Sequence, residues 1–447
     1  MAEPTIATNN PPEKIDKATK KQLIMAIFAS CAGFSLDLFD LFLLLYVSPQ
    51  LSKLIFPSSN PTLSLAAVYG AFAISMIIRP TGAGVFGTYA DKHGRKKALY
   101  VTMLGAGIAT TAMGLIPTYN QVGVWAGIIF LILRLLQGLF IGGVTASTHT
   151  IGTETVPASW RGWVSGVVTG GGGGLGAVMA SLVFYTMARL FPGDAFDGWG
   201  WRCMFFTGLL SMIFALFIFK YLQESPLFAQ LEAKKGQSVK KSTPVKVLFS
   251  AKYRKVVILN ILLVFGVSGI YYLTLGYLPS FLGLVNKVPK ANSGMMMMAG
   301  ALIAFFVTVL LGQFSEMVGR RKAFFVWSII GAVIFAFAGY GQLAGVPVTD
   351  LGKITMYVYL LAGFGNAGSG AILIFLNERF PTEIRASGTA ISWNGGYALG
   401  GIMPMTVTAI SPTIADIPIR LTIFCLALCA LTFISAYVAP ETKGHFE

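Results

Sequence analysis

Two carboxylates sit in an apolar stretch that would bury them. In GFSLDLFDLF, Asp37 and Asp40 are three residues apart, which places both on one face of a helix. Arg79 and Arg134 fall inside later apolar stretches, and apart from helix ends these four are the only Asp, Glu, Lys or Arg at such depth. At about 1.5 Å of rise per residue they lie roughly 18–27 Å from one membrane face. A charge near the bilayer centre costs about 2.5–3.5 kcal/mol, so two acids and two bases come close to cancelling only if they pair. Buried ion pairs are weak sources of stability, which favours proton and ligand chemistry over a purely structural network. Arginine keeps its charge throughout. An Asp that gains a proton therefore releases its Arg for an anion, and proton and anion bind together. Asp40 is preferred over Asp37 as proton carrier, and Arg134 over Arg79 as its partner. The later part of the chain offers uncharged amides and phenols, which orient small polar ligands. The expected ligand set is Arg79, Arg134, Gln137, Tyr271, Asn366, Asn394 and Tyr397.

The elements that must hold these residues follow from composition. The chain has 447 residues, of which 55% are hydrophobic and 11% charged, with a mean hydropathy of +0.71. A soluble domain carries about 25% charged residues, so an ordinary water-soluble enzyme and a disordered chain are both excluded. A spanning helix needs about 20 apolar residues. The qualifying stretches are 22–47, 63–90, 97–116, 122–148, 161–188, 201–222, 255–284, 291–317, 322–344, 352–379, 384–411 and 417–440. This predicts an all-α membrane protein with twelve transmembrane helices. A six-helix bundle at 22–222 and a second at 255–440 are joined by a basic linker at 223–254. Tails at 1–21 and 441–447 flank them. The N-terminal tail lacks a cleavable signal pattern.

With the N-terminus inside, 24 of the 33 Lys and Arg residues lie on the cytoplasmic side and seven outside. This bias places both termini in the cytoplasm and accounts for the net charge of +15 without nucleic acid. The bundles also repeat. GTYADKHGRKK at Gly87–Lys97 returns as GQFSEMVGRRK at Gly312–Lys322, and ETVPASWRG at Glu154–Gly162 as ERFPTEIRASG at Glu378–Gly388. QESP at Gln223–Pro226 returns loosely as PETK at Pro440–Lys443. Parallel repeats of this kind enclose a central site between them.

G-x-x-x-D-K-x-G-R-K-K after the second helix, with a weaker copy where the repeat requires it, resembles the signature of the major facilitator superfamily of secondary transporters. The second copy has Glu316 for the Asp and Met317 for the basic residue. RLLQG at Arg134–Gly138 is similar to that family's fourth-helix R-x-x-x-G motif, which the resemblance links with proton coupling. IIRPTGAGVFG, GWGWR with ESPLF, and ERFPTEIRASG with WNGGYALGG resemble its metabolite:proton symporter branch and neighbours. That branch often carries Gly-Gly-Glu in the fourth helix, whereas here Gly142 and Gly143 precede Val144. Asp91 ends its own helix, where the dipole disfavours it, and the positive start of the eleventh helix can accept it. Gly87 would let backbones approach closely. Arg95 can pair with Asp91 or Glu154. The resemblance implies a cytoplasmic gate of Gly87, Asp91, Gly94, Arg95, Glu154, Arg161, Glu316, Arg320, Glu378 and Arg385.

Other features read as structural. Gly170–Gly174 has no following Gly-Lys-Ser/Thr and reads as close helix packing. Met295–Met298 reads as apolar lining. The four cysteines fall in apolar runs, and neither they nor His93, His149 and His445 show metal-ligand spacing. The expectation is a multi-pass protein of the cell membrane, monomeric, not an enzyme. It would use the proton gradient and no cofactor to import a small metabolite, an organic acid, by rocking of the two bundles. A facilitator, a proton antiporter, a sugar, zwitterion or phosphate as cargo, and a transporter-like sensor are the alternatives.

Overall fold

A computed structural model describes residues 17–154, 167, 172–221 and 248–443. The long helices are, in order, α1 (Lys17–Leu54), α2 (Pro61–His93), α3 (Arg95–Met113), α4 (Trp125–Glu154), α5 (Gly172–Leu190) and α6 (Gly208–Tyr221). After the linker come α7 (Arg254–Tyr271), α8 (Lys290–Val318), α9 (Arg320–Ala338), α10 (Leu351–Ala367), α11 (Thr382–Ala409) and α12 (Ile417–Val438). Among the described residues ten spans are long and apolar enough to cross a membrane. The two long helices that fall short are α3, which starts on Arg95, Lys96 and Lys97, and α11, which is rich in Gly, Ser, Thr and Asn. Both were counted among the twelve expected spans.

The pairing of helices repeats between the halves. In the first half α2 packs on α4, α1 on α5 and α3 on α6. In the second, α8 packs on α10, α7 on α11 and α9 on α12. The halves meet where α2 crosses α11 and α5 crosses α8, again a matched pair. Missing side chains permit these crossings. A Cβ on Gly142 would run into the Arg79 carbonyl across the α2–α4 seam, and one on Gly370, in the segment Ser369–Glu378 that follows α10, into the Thr308 carbonyl of α8. Within the glycine run, a Cβ on Gly172 would stand 2.8 Å from Phe34 and one on Gly174 2.7 Å from Phe305, as close packing requires.

The junctions after α2 and α8 show the repeat at the level of single dihedrals. Gly94 has φ 98° and Gly319 has φ 101°, a region that a side chain rarely adopts. Each residue stops one helix and starts the next.

Four expected helices are broken. The sixth breaks at Thr207, between Trp201–Phe206 and α6, and the ninth at Gly339, between α9 and Tyr340–Ala344. The seventh leaves α-geometry at Tyr272–Gly276, a single wide turn, and resumes at Leu278–Leu284 with Pro279 in its first turn. The tenth breaks at Gly368 and resumes at Ser369–Glu378. Proline lacks an amide proton and suits a helix start, which explains the restart after Gly276. In α1, by contrast, helix continues through Pro49 to Leu54, beyond the expected end at residue 47.

Candidate functional site

Asp37 and Asp40 lie in mid-α1, 4% and 1% exposed, and both face inward as their spacing requires. They nevertheless enter different surroundings. Asp37 meets Arg79 of α2, with Oδ1 3.1 Å from Nη2. Both line a central cavity with Phe34, Leu38, Met76 and Gly173 from the first half. The second half closes it with Tyr271, Tyr272, Asn366, Ser369, Trp393, Asn394, Tyr397 and Ala398. The cavity is nearly closed, with only about 20 Å3 open to the centre of a water-sized sphere.

The second half's wall is largely aromatic. Trp393 stacks on Tyr397 with centroids 4.4 Å apart, Tyr397 meets Tyr272 edge-on at 6.0 Å, and Tyr272 lies 5.1 Å from Tyr271. Two polar atoms on this wall have no hydrogen-bond partner among the described residues: the Tyr271 hydroxyl and Asn366 Nδ2. The Asn366 carbonyl oxygen accepts from Ser369 Oγ at 3.0 Å, which leaves the amide NH2 to a ligand. Asn394 Nδ2 donates to the Ala390 carbonyl at 3.0 Å, so its carbonyl oxygen is the end available to cargo. Asn260 is buried in α7 and does not line the cavity.

Asp40 stands apart from the cavity. Its Oδ2 accepts from Thr110 Oγ1 of α3 at 3.2 Å and from Ser211 Oγ of α6 at 3.5 Å. Its Oδ1 accepts no hydrogen bond among the described residues. Arg134 of α4 does not pair with it directly. One guanidinium nitrogen of Arg134 donates to Gln137 Oε1 and the other to Ser75 Oγ at 3.4 Å. Gln137 in turn donates through Nε2 to Thr110 Oγ1 at 2.6 Å. Asp40 and Arg134 are thus joined through two intervening side chains. The direct pair is Asp37 with Arg79, while Arg134, the partner preferred for Asp40, is linked to Asp40 only indirectly. The reason lies in the crossings: Gly138 and Gly142 bring the α4 backbone against α2 at Ser75 and Arg79. Arg134, one turn before Gly138, then meets Ser75. Of the expected ligand set, Arg79, Tyr271, Asn366, Asn394 and Tyr397 line the cavity, whereas Arg134 and Gln137 do not. Ser75, Thr110 and Ser211 were not among the expected residues. Hydroxyls are common in apolar helices, where they bond their own backbone, so they carry no signal in sequence.

At the end opposite the chain termini the halves are in contact. Tyr69 of α2 donates to Ser280 Oγ at 2.9 Å and stacks on Tyr277 at 5.0 Å. Lys290 at the start of α8 pairs with Asp197, before α6, at 2.8 Å. Tyr272 donates to Met76 Sδ at 3.4 Å nearer the cavity.

The residues expected of a gate lie at the termini end. In their second copy Arg320 pairs with Glu316 at 2.7 Å and Glu378 at 3.0 Å. Arg385 donates through Nε to the Phe380 carbonyl at 3.1 Å. A third group joins them. The Glu441 carboxylate accepts from the Arg320 and Arg321 amides at 2.8 and 3.2 Å, at the start of α9. Thr442 donates to Glu378 Oε2 at 2.6 Å. Burial pushes the Glu441 carboxyl up, but amides of Lys443, Arg320, Arg321 and Thr442 outweigh it and hold the group below its usual value. In the first copy, the side chains of Asp91, Arg95 and Glu154, and the whole of Arg161, lie outside the described residues. Gly87 does not make the close approach expected of it: a Cβ there would meet nothing within 4 Å. Among the described residues no neighbouring helix presses on that turn.

The helical order, the matched crossings and a central cavity with a buried ion pair define a two-bundle membrane carrier. Residues 25–405 match the Major Facilitator Superfamily, and the chain belongs to that family. It is 30% identical over 393 residues to the glycine betaine/proline/ectoine/pipecolic acid transporter OusA of Dickeya dadantii (strain 3937). That match covers 87% of this chain and 77% of the relative. It is also 30% identical over 389 residues to the proline/betaine transporter of Escherichia coli (strain K12), covering 86% and 77% of the two chains. The D-xylose-proton symporter has the same fold, with a TM-score of 0.75 at 17% identity over 94% of this chain and 99% of that one. The protein is therefore a multi-pass transporter of the cell membrane, not an enzyme.

Proposed function

We propose that this protein imports a small carboxylate-bearing metabolite together with protons, by rocking of 22–222 against 255–440 with both termini in the cytoplasm. The observation that carries the proposal is the Asp37–Arg79 pair, a fixed cation and its displaceable internal partner on the wall of a central cavity. A cargo carboxylate competes with Asp37 for Arg79. Asp40 is the proton carrier: its charge, one helical turn from Asp37, opposes a further anion, and a proton on Oδ1 removes that opposition. Tyr271, Asn366 and Asn394 orient the cargo. Arg320, Glu316, Glu378 and Arg385, with their first-half counterparts, form the cytoplasmic gate.

For an organic acid, Arg79 is the anchor and the aromatic wall is the apolar floor. The wall favours a second reading, a zwitterion. Aromatic faces beside a carboxylate attract an ammonium or quaternary amine, so Trp393, Tyr397 and Asp37 would hold the cationic end while Arg79 holds the carboxylate. The relatives' named cargoes, betaine and proline, have that form.

Proteoliposomes test the reading. Exchange assays with mono- and dicarboxylates, betaine, proline, a sugar and phosphate identify the cargo. Acidifying the medium should then speed its uptake, whereas a proton antiporter would expel it and a facilitator would ignore the gradient. Saturable binding without any flux would mark a sensor. Asp40→Asn should lose uphill uptake and keep exchange. Full gradient-driven accumulation by that variant removes Asp40 as carrier and shifts the role to Asp37.

A further inference from the structure

The proposed proton carrier and the cargo cavity are separate, and a path of buried side chains joins them. Asp40, Thr110, Gln137, Arg134 and Ser75 are each no more than 2% exposed. They come from α1, α3, α4 and α2, and each bonds the next: Thr110 to Asp40 at 3.2 Å, Gln137 to Thr110 at 2.6 Å, then Arg134 to both Gln137 and Ser75. Ser75 lies next to Met76 and one turn before Arg79, and both of those line the cavity. We propose that Thr110 and Gln137 are positioning residues that transmit the protonation state of Asp40 to Arg134, and through Ser75 to the cargo-binding face of α2. The inference rests on the proton-coupled reading given above.

The donors and acceptors fix the direction of the bonds. Gln137 accepts from Arg134, so its oxygen faces the guanidinium and its NH2 faces Thr110. Thr110 receives that NH2 on its oxygen, and its one proton is left for Asp40 Oδ2 or the Ala106 carbonyl, 3.0 Å away. With Asp40 charged, the proton favours the carboxylate and the chain is closed. With Asp40 protonated, Thr110 can turn its proton to Ala106, and the link between Asp40 and Arg134 weakens. Arg134 keeps its charge in both states. The other groups that could answer Asp40 are few. Asp37 shares its helix, Arg79 comes from α2, Ser211 from α6, and Tyr271 and Tyr272 from the broken seventh helix. α5 brings no acid or base to this depth, its Arg189 lying in the last turn. Arg202, before α6, is held by the Gly114 and Ile116 carbonyls.

The test compares gradient-driven uptake with exchange in proteoliposomes, using betaine and proline as probes alongside the best organic acid from the panel. Thr110→Val keeps the shape and removes the hydroxyl. It should cut pH-driven uptake by about tenfold or more, the scale of one hydrogen bond to a charged group, while exchange continues. Thr110→Ser should restore coupling. Gln137→Met should lose gradient-driven uptake to a similar extent, and the double variant should lose no more than either single one, because the residues act as one unit. Losses that add, or that strike exchange and driven uptake equally, would show a packing role and overturn the relay. If Thr110→Val fails to insert, Gln137→Met and Thr110→Ser still decide the matter. Wild-type uptake that ignores the pH gradient sinks both the coupled reading and the relay, whereas intact coupling in Thr110→Val sinks the relay alone.

Discussion

The halves share an ancestry visible in their repeats, yet they bring opposite chemistry to the cavity. From the first come Asp37 and Arg79, on helices that run unbroken. From the second come phenols, an indole and amides with no charge, and its helices 7 and 10 are interrupted beside the cavity. Their counterparts α1 and α4 continue straight through, to Leu54 and Glu154. An ion pair needs fixed geometry and dry surroundings, which rigid helices supply. A wall that must follow cargo of one shape needs backbone that can yield. The arrangement assigns ionic recognition to the unbroken α1 and α2 and fitting to the interrupted helices 7 and 10.

The sharpest way to break this contrast is at the ion pair. Asp37→Asn leaves Arg79 without its partner and should abolish transport. It should also lower stability by up to about 3–5 kcal/mol, read by thermal unfolding in detergent. Adding Arg79→Gln should recover much of the stability and none of the transport. A stable, active Asp37→Asn would dissolve the distinction between the halves. A smaller effect is expected on the aromatic side. Trp393→Ala or Tyr397→Ala should raise the cargo concentration for half-maximal uptake roughly tenfold, with the maximal rate little changed. A collapse in rate instead would place the fitting half in the chemistry. The smallest effect belongs to the gate. Glu441→Gln should cost about 0.5–1 kcal/mol at neutral pH, the scale of a carboxylate at an exposed helix start. Because folding holds this carboxyl below its ordinary value, its contribution is complete above the usual carboxylate range. It fades as pH falls through the lowered value, so melting curves of variant and wild type should converge in acid.

Much of this was legible in the chain, for different reasons at different places. The helical order follows from apolar length. The repeat anticipated Gly94 and Gly319 as equivalent, and their dihedrals agree within a few degrees. It also matched Arg320, Glu316 and Glu378 to Arg95, Asp91 and Glu154, and the second trio is assembled. The PETK echo marked Glu441 without revealing that it caps α9, since capping depends on a contact 120 residues away. The direct pairing of Asp37 with Arg79 was beyond sequence. Depth places Asp37 and Asp40 within one turn of each other, but the rotation of α2 and α4 about their glycine seam decides which arginine each one meets. The breaks at Tyr272–Gly276 and Gly368 were hidden because hydropathy does not register a single wide turn.

The four membrane-depth charges of the first half have an electrical consequence. With both acids ionised they sum to zero. Carrying one unit of charge through 100 mV is worth about 2.3 kcal/mol. The empty carrier can therefore change conformation without these groups working against the voltage. In the proposed proton-coupled cycle, each bound proton adds one positive charge, which a singly anionic cargo removes and a zwitterion leaves in place. Current measured during uptake would thus count the charge that proton and cargo fail to balance, and so tell an acid from a zwitterion.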